Sequence, residues 1–191
     1  MPALPNNIAL QGPRLLCKPF GPEAITDEYL AWLNDAEVNR YSRRRHVTQG
    51  RADAERFIAA LGDNEVVLKL MLLQGQRHVG NLQIGPIDWI NRCGEIRILL
   101  GDRSVWGQGI GTEAVYLATK FMFGELGLHR VEANSCNPAF IRCVEKLGWR
   151  REGVLRQRLL SDHGEWMDYA WYGLLSSEFV EYLEYVVEKK A

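Results

Sequence analysis

Between an apolar run that ends at Leu100 and a helical pattern that begins at Glu113, the chain carries Trp106-Gly107-Gln108-Gly109-Ile110-Gly111-Thr112. Three glycines at alternate positions, opening a helix directly after a strand, restrict what this segment can be. Glycine permits the tight turn, and the missing side chains let backbone N–H groups converge on an anion. The helix N-terminus adds partial positive charge. A Walker A loop needs Lys-Ser/Thr after its last glycine, which Thr112-Glu113 does not supply. A dinucleotide fingerprint needs G-x-G-x-x-G inside a βαβ unit, whereas the spacing here is G-x-G-x-G. The loop is therefore a candidate cradle for a phosphate-bearing cofactor, with a plain strand-to-helix glycine turn as the alternative.

The surrounding pattern predicts an α+β domain around a mostly antiparallel sheet. Strands are expected at residues 14–20, 66–73, 78–87, 93–100, 130–135, 149–160 and 166–175. Helices are expected at 26–33, capped by Thr26, at 48–61, at 113–126, and at 137–147, where Asn137-Pro138 makes a favoured start and Gly148 a favoured stop. A last helix is expected over 176–189. The three strands before the glycine loop form a meander, which does not fit a dinucleotide-binding sheet.

Several functions are disfavoured by composition. A net charge of −1 with 25% charged residues offers no basic face for nucleic acid. No apolar run reaches the roughly 20 residues of a membrane span. The N-terminus lacks the basic start and apolar core of a signal peptide, so the expected location is cytoplasmic. Cys17, Cys93, Cys136 and Cys143 show no C-x-x-C spacing, and the four histidines are scattered. Reduced thiols and no metal site are the expectation.

Taken together, the chain resembles the GCN5-related N-acetyltransferase (GNAT) superfamily. Gly109-Ile110-Gly111 matches the glycine end of that family's Q/R-x-x-G-x-G/A motif, with Trp106 in place of the usual Gln or Arg. The string W-G-Q-G-I-G-T-E-A is similar to the branch of ribosomal-protein N-terminal, spermidine and amino-sugar acetyltransferases. Asn137-Pro138 and Glu145-Lys146-Leu147-Gly148-Trp149 match the family's following helix, and Glu165-Trp166-Met167-Asp168 resembles its late strand. The resemblance spans roughly residues 12–178. It implies a short extension at residues 1–11 and one GNAT-like domain at 12–191, with a seven-stranded sheet flanked by helices and a splayed central strand pair. It further implies acetyl-CoA as co-substrate and acyl transfer to an amine.

On that reading the backbone amides of Gln108, Gly109, Ile110, Gly111 and Thr112 hold the pyrophosphate, and Ile98, Leu99 and Leu100 line the pantetheine arm. Asn137 touches that arm or simply caps its helix. Arg142 and Lys146 reach a CoA phosphate or form a solvated helix face. An amine at neutral pH is mostly ammonium and must lose a proton before it attacks a thioester. Glu95 is the candidate base, with Asn137 assigned beside it as a catalytic residue. The alternative for Glu95 is an ion pair with Arg97. Relatives often carry Tyr at the position of Val144 or Ser at that of Phe140, so the proton donor to the thiolate is not evident, and Tyr172 is only a remote candidate. The stretch from Trp32 to His46 resembles the W-L-N-D-x-E-V-x-x-Y segment of amino-sugar acetyltransferases. Trp32, Tyr41, Arg45, His46, Arg97 and Trp166 are the candidate acceptor contacts, and the expected partner is a small-molecule amine such as a nucleotide-linked amino sugar. A polyamine, a protein N-terminus, or a non-catalytic CoA-binding module are the alternatives. Exposed strand edges leave room for a homodimer.

Overall fold

In a computed structural model the chain forms an eight-stranded sheet flanked by helices on both faces. The structure describes residues 3–5, 7–161 and 163–181, without the side chains of Arg43 and Arg44. The elements are β1 (Leu10–Gln11), β2 (Leu15–Pro19), α1 (Asp27–Asn34), α2 (Ala36–Asn39), α3 (Arg51–Ala59), β3 (Val66–Leu72), β4 (His78–Asp88) and β5 (Cys93–Leu100). They continue with α4 (Ile110–Gly124), β6 (Arg130–Ser135), α5 (Pro138–Lys146), β7 (Arg150–Leu160) and β8 (Trp166–Leu175). The sheet order is β1-β2-β3-β4-β5-β6-β8-β7, antiparallel throughout except for the parallel β5–β6 pair.

The sequence gives seven strands and the sheet has eight. The added strand is Leu10–Gln11, which pairs with Cys17 and Leu16 and carries Leu10 into the core. A two-residue strand is too short for a periodicity to show. The expected helix over 48–61 narrows to Arg51–Ala59, started by Gly50, whose N–H donates to Asp53. Of the helix expected over 176–189, residues 182–189 lie outside the described residues, and Ser176–Glu178 form a short 3-10 turn. Phe179 then packs its ring on Tyr116 and Phe123.

Strand alternation sorts side chains onto two faces. Leu68, Leu82, Ile84, Ile96, Val131 and Ala133 pack under α4 and α5 in the larger apolar cluster. Val67 and Leu99 point the other way, toward Phe20, Tyr29, Trp32 and Leu33 of the α1 side. Glu95 and Arg97 lie on β5 in phase with Leu99, so they belong to that second face.

One titratable group is built into the second cluster. The His78 ring packs on Trp32 at 5.1 Å and Phe20 at 5.9 Å between centroids, and its Nε2 lies 2.9 Å from Gly80 O and 2.8 Å from Asn81 Oδ1. Burial pushes its pKa below the ordinary value of 6.5, reinforced by the Lys69 charge and opposed by the Asn81 and Gly80 bonds and by Glu28. The unfolded chain takes a proton near pH 6.5 while the folded protein resists it, so this contribution is fully present above that pH and is lost as the pH falls through it toward the folded pKa. Melting temperatures measured from pH 7.5 to 5 are expected to drop less steeply in His78→Gln than in the wild type.

Candidate active site

The strands β5 and β6 pair only at Cys93↔Arg130, Gly94↔Val131 and Glu95↔Glu132. Beyond that rung β5 stays with β4 up to Leu100, and β6 stays with β8 up to Ser135. The sheet therefore opens in a V between them, closed at Glu95 and Glu132. Gly101 donates its N–H to Val79 O on β4. In a planar trans peptide the Leu100 carbonyl must then point the opposite way, into the V. Trp106 Nε1 donates to that carbonyl at 3.0 Å, placing the indole at the mouth of the opening. By the alternation of backbone direction along a strand, Ile98 turns its N–H and C=O into the V as well, and Ile96 its C=O, while the Ile96 N–H faces Glu132 at the last rung. Leu99 turns its backbone toward Asn81 on β4 and its side chain toward the α1 cluster.

The glycine loop stands at the mouth. Gly107 and Gly109 have φ of 72° and 79°, a left-handed conformation that disfavours any other residue. Gly109 is the N-cap of α4, no side chain caps it, and the first intrahelical bond runs from Glu113 N to Gly109 O. The N–H groups of Ile110, Gly111 and Thr112 precede that bond, as the first donors of any helix do. A Cβ added at Gly111 would come within 3.3 Å of Leu100 Cδ1, so the glycine permits a close approach of helix and strand. Gln108 is engaged within the loop: its N–H donates to Val105 O and its Nε2 to Ser104 O. The free helix-start donors, the left-handed glycines and the unpaired strand edges fit a phosphate with an extended arm, which is the shape of coenzyme A.

The closed end of the V holds charge. Glu95 accepts from Arg97 Nε at 3.1 Å, Arg97 Nη2 at 2.5 Å and Asn134 Nδ2 at 3.0 Å. The Glu95 side chain is 15% exposed and that of Arg97 is 49% exposed. Strand alternation brings Glu95 and Arg97 together, as the ion-pair alternative supposed. Asn134 was not anticipated, although its phase on β6, in step with Glu132, would have pointed to it. Glu132 in turn pairs with Arg130, which also reaches Glu152.

Asn137 Oδ1 accepts from Ala139 N at 2.9 Å and caps α5, while Asn137 N donates to Ser135 Oγ. Arg142 and Lys146 are both exposed on α5. Val144 is buried and Phe140 half-buried. Tyr172 is buried and donates its hydroxyl to Glu145 Oε1 at 2.9 Å; burial first, and then the Glu145 hydrogen bond, raise its pKa. A phenol held that way faces α5 and does not serve the V.

The expected acceptor residues do not all gather. Trp32 is 7% exposed, with its ring over the Gly101 backbone in the α1 cluster, so it packs the domain. Cys136 Sγ donates to Tyr41 O at 3.9 Å, and the Arg45 charge acts on the Cys136 thiol, whose pKa burial raises. The segment of Tyr41, Arg45 and the exposed His46 thus borders the open end of β6. Trp166 is 59% exposed at the far end of β8. Ser135 pairs with Ala170, and Trp166 lies beyond that pair along the hairpin, past the end of β6. Among the described residues, no three His, Cys, Asp or Glu side chains come together as a metal site, and no helix is long and apolar enough to cross a membrane.

Comparison with known proteins agrees with this geometry. The family model described as "Acetyltransferase (GNAT) domain" matches residues 14–150. The "Uncharacterized N-acetyltransferase YnaD" of Bacillus subtilis (strain 168) is 33% identical over 155 residues, covering 78% of this chain and 86% of that protein. The "Probable N-acetyltransferase YjcK" of the same organism is 37% identical over 79 residues, 40% of this chain and 43% of that protein. The spermidine N-acetyltransferase of Vibrio cholerae, solved with CoA and spermine, superposes with a TM-score of 0.77 at 17% identity, over 89% of this chain and 100% of that one. The V with its glycine loop and the match across residues 14–150 lead to one assignment: the chain belongs to the GNAT family and is an acetyl-CoA-dependent N-acetyltransferase.

Proposed function

We propose that the acceptor is a primary amine on a small, phosphate-bearing molecule, a nucleotide-linked amino sugar, and that Glu95 removes its proton. The position of Glu95 carries this reading. It stands at the closed end of the V, on the face that the segment of Tyr41, Arg45 and His46 borders. Acetyl-CoA supplies the activated acyl carbonyl. The amides of Gly109 to Thr112, with Ile96 and Ile98, orient it, and Arg142 and Lys146 offer charge on the neighbouring helix.

Arg97 occupies both Glu95 oxygens in the free protein. An anionic acceptor competes for this half-exposed guanidinium, while Asn134 keeps Oε1 in place. Oε2 then faces the amine and takes the proton from nitrogen. Binding of the right charge and activation of the base are thereby linked. With Val144 and Phe140 unable to donate, the leaving thiolate takes its proton from water or from the acceptor nitrogen, which carries a second proton to give up once it has attacked the carbonyl.

The adjacency of Glu95 and Glu132 supports a second reading, in which a cationic acceptor such as a polyamine or a protein N-terminus enters. Thiol release from acetyl-CoA against a panel of nucleotide-linked amino sugars, polyamines and N-terminal peptides tests both. The expected outcome is the highest kcat/KM with a nucleotide-linked amino sugar. Preference for spermidine or a peptide replaces the first reading with the second. Tight CoA binding without release on any amine points to a CoA-binding module.

A further inference from the structure

We propose that Arg14, remote in sequence from the glycine loop, is the residue that positions the loop for the cofactor diphosphate; the inference rests on the acetyl-CoA reading of that loop. Glu113, in the first turn of α4, is completely buried. Its carboxylate accepts from Arg14 N at 2.9 Å, Leu15 N at 3.1 Å and Arg14 Nε at 2.7 Å. A buried carboxylate is retained only when it is paired and hydrogen-bonded, and here both conditions are met by the start of β2. The close pass is possible because residue 12 is glycine: a Cβ there would fall 2.6 Å from Glu113 Oε1.

The ion pair fixes the plane of the guanidinium, and its next nitrogen acts on the loop. Arg14 Nη1 donates to Gln108 O at 2.7 Å. Within a trans peptide the carbonyl of Gln108 and the N–H of Gly109 point in opposite directions. Holding the carbonyl toward Arg14 therefore turns the Gly109 N–H away from it, alongside the free amides of Ile110, Gly111 and Thr112. This peptide leads into the left-handed Gly109, one residue after the left-handed Gly107, so glycine eases rotation on its C-terminal side. Without the pin, a carbonyl oxygen can turn toward the anion in place of a donor. The remaining nitrogen, Nη2, is buried and has no hydrogen-bond partner among the described residues, and it lies 3.5 Å from where a Gly109 Cβ would be. A positive charge thus backs the loop directly. The device joins the sheet edge to the cofactor loop across 94 to 99 residues of sequence.

Arg14→Lys tests it. The lysine keeps a charge opposite Glu113 but cannot hold Glu113 and the Gln108 carbonyl together. Acetyl-CoA is compared with acetyl-pantetheine, which lacks the diphosphate, and CoA binding is measured by calorimetry. In Arg14→Lys, kcat/KM with acetyl-CoA and CoA affinity are expected to fall about tenfold, as for loss of one charge-assisted hydrogen bond. The value with acetyl-pantetheine is expected to stay at the wild-type level. Arg14→Gln/Glu113→Gln, which removes both charges of the pair together, is expected to show the same selective loss. Equal losses with both donors, or unchanged CoA affinity in Arg14→Lys, would overturn the positioning role. A wild-type protein that does not bind CoA would instead defeat the reading of the loop itself.

Discussion

Glu95→Gln is expected to lower kcat by about 10²- to 10³-fold, the range of a general base, with the KM for acetyl-CoA unchanged. Glutamine has the same shape and still offers an oxygen to Asn134 and Arg97, so the closed end of the V keeps its structure. What is lost is the capacity to accept a proton from the ammonium. The deficit should narrow as the pH rises, because a growing fraction of the amine arrives already deprotonated. Steady-state kinetics from pH 6.5 to 9.5 with the preferred acceptor measure this. Wild-type turnover of Glu95→Gln at pH 7 would assign the carboxylate to structure alone.

Gly101→Ala is expected to lower stability by about 1–3 kcal/mol, the cost of forcing a methyl group into a packed core. The Cβ would fall inside the Trp32 ring, which is itself held by His78 and Tyr29. Neither side yields easily: Gly101 N is tied to Val79 O on β4, and Trp32 is fixed by its neighbours on α1. For a domain of this size each kcal/mol lowers the melting temperature by about 2–4 °C. Gly101 also leads from β5 into the loop, so CoA affinity should weaken along with stability. Trp32→Leu combined with Gly101→Ala opens room for the methyl group and should recover part of both losses. A melting temperature unchanged in Gly101→Ala would contradict the packing.

How much of this was legible in the sequence depended on the range over which each feature is encoded. The glycine spacing, the Asn137-Pro138 start and the meander are local, and each marks an element that the structure contains. The V followed from the family resemblance, and its three rungs agree with the expected splay of the central strand pair. For Trp32, an aromatic residue in a polar-looking stretch can face a ligand or a core, and its packing against Gly101, 69 positions away, is not visible in the local sequence. The acid at Glu113 looks like ordinary complementarity to a helix dipole until Arg14 folds against it. Asn134 and Glu95 meet only because two strands distant in sequence lie in parallel. Such pairings leave no periodic trace in either segment.

The V has a fixed length, and this makes it a ruler. From the last paired residue, Glu95, to the Leu100 carbonyl that Trp106 closes off, β5 offers five further residues, or roughly 17 Å at about 3.3 Å each. One end is set by the amides of the glycine loop and the other by the rung at Glu95 and Glu132. A cofactor arm anchored at the first reaches the second at a distance that backbone geometry dictates, whatever side chains line the way. With the acyl group at that closed end, as the proposed function has it, a bulkier acyl donor would meet the Glu95–Asn134 contact there.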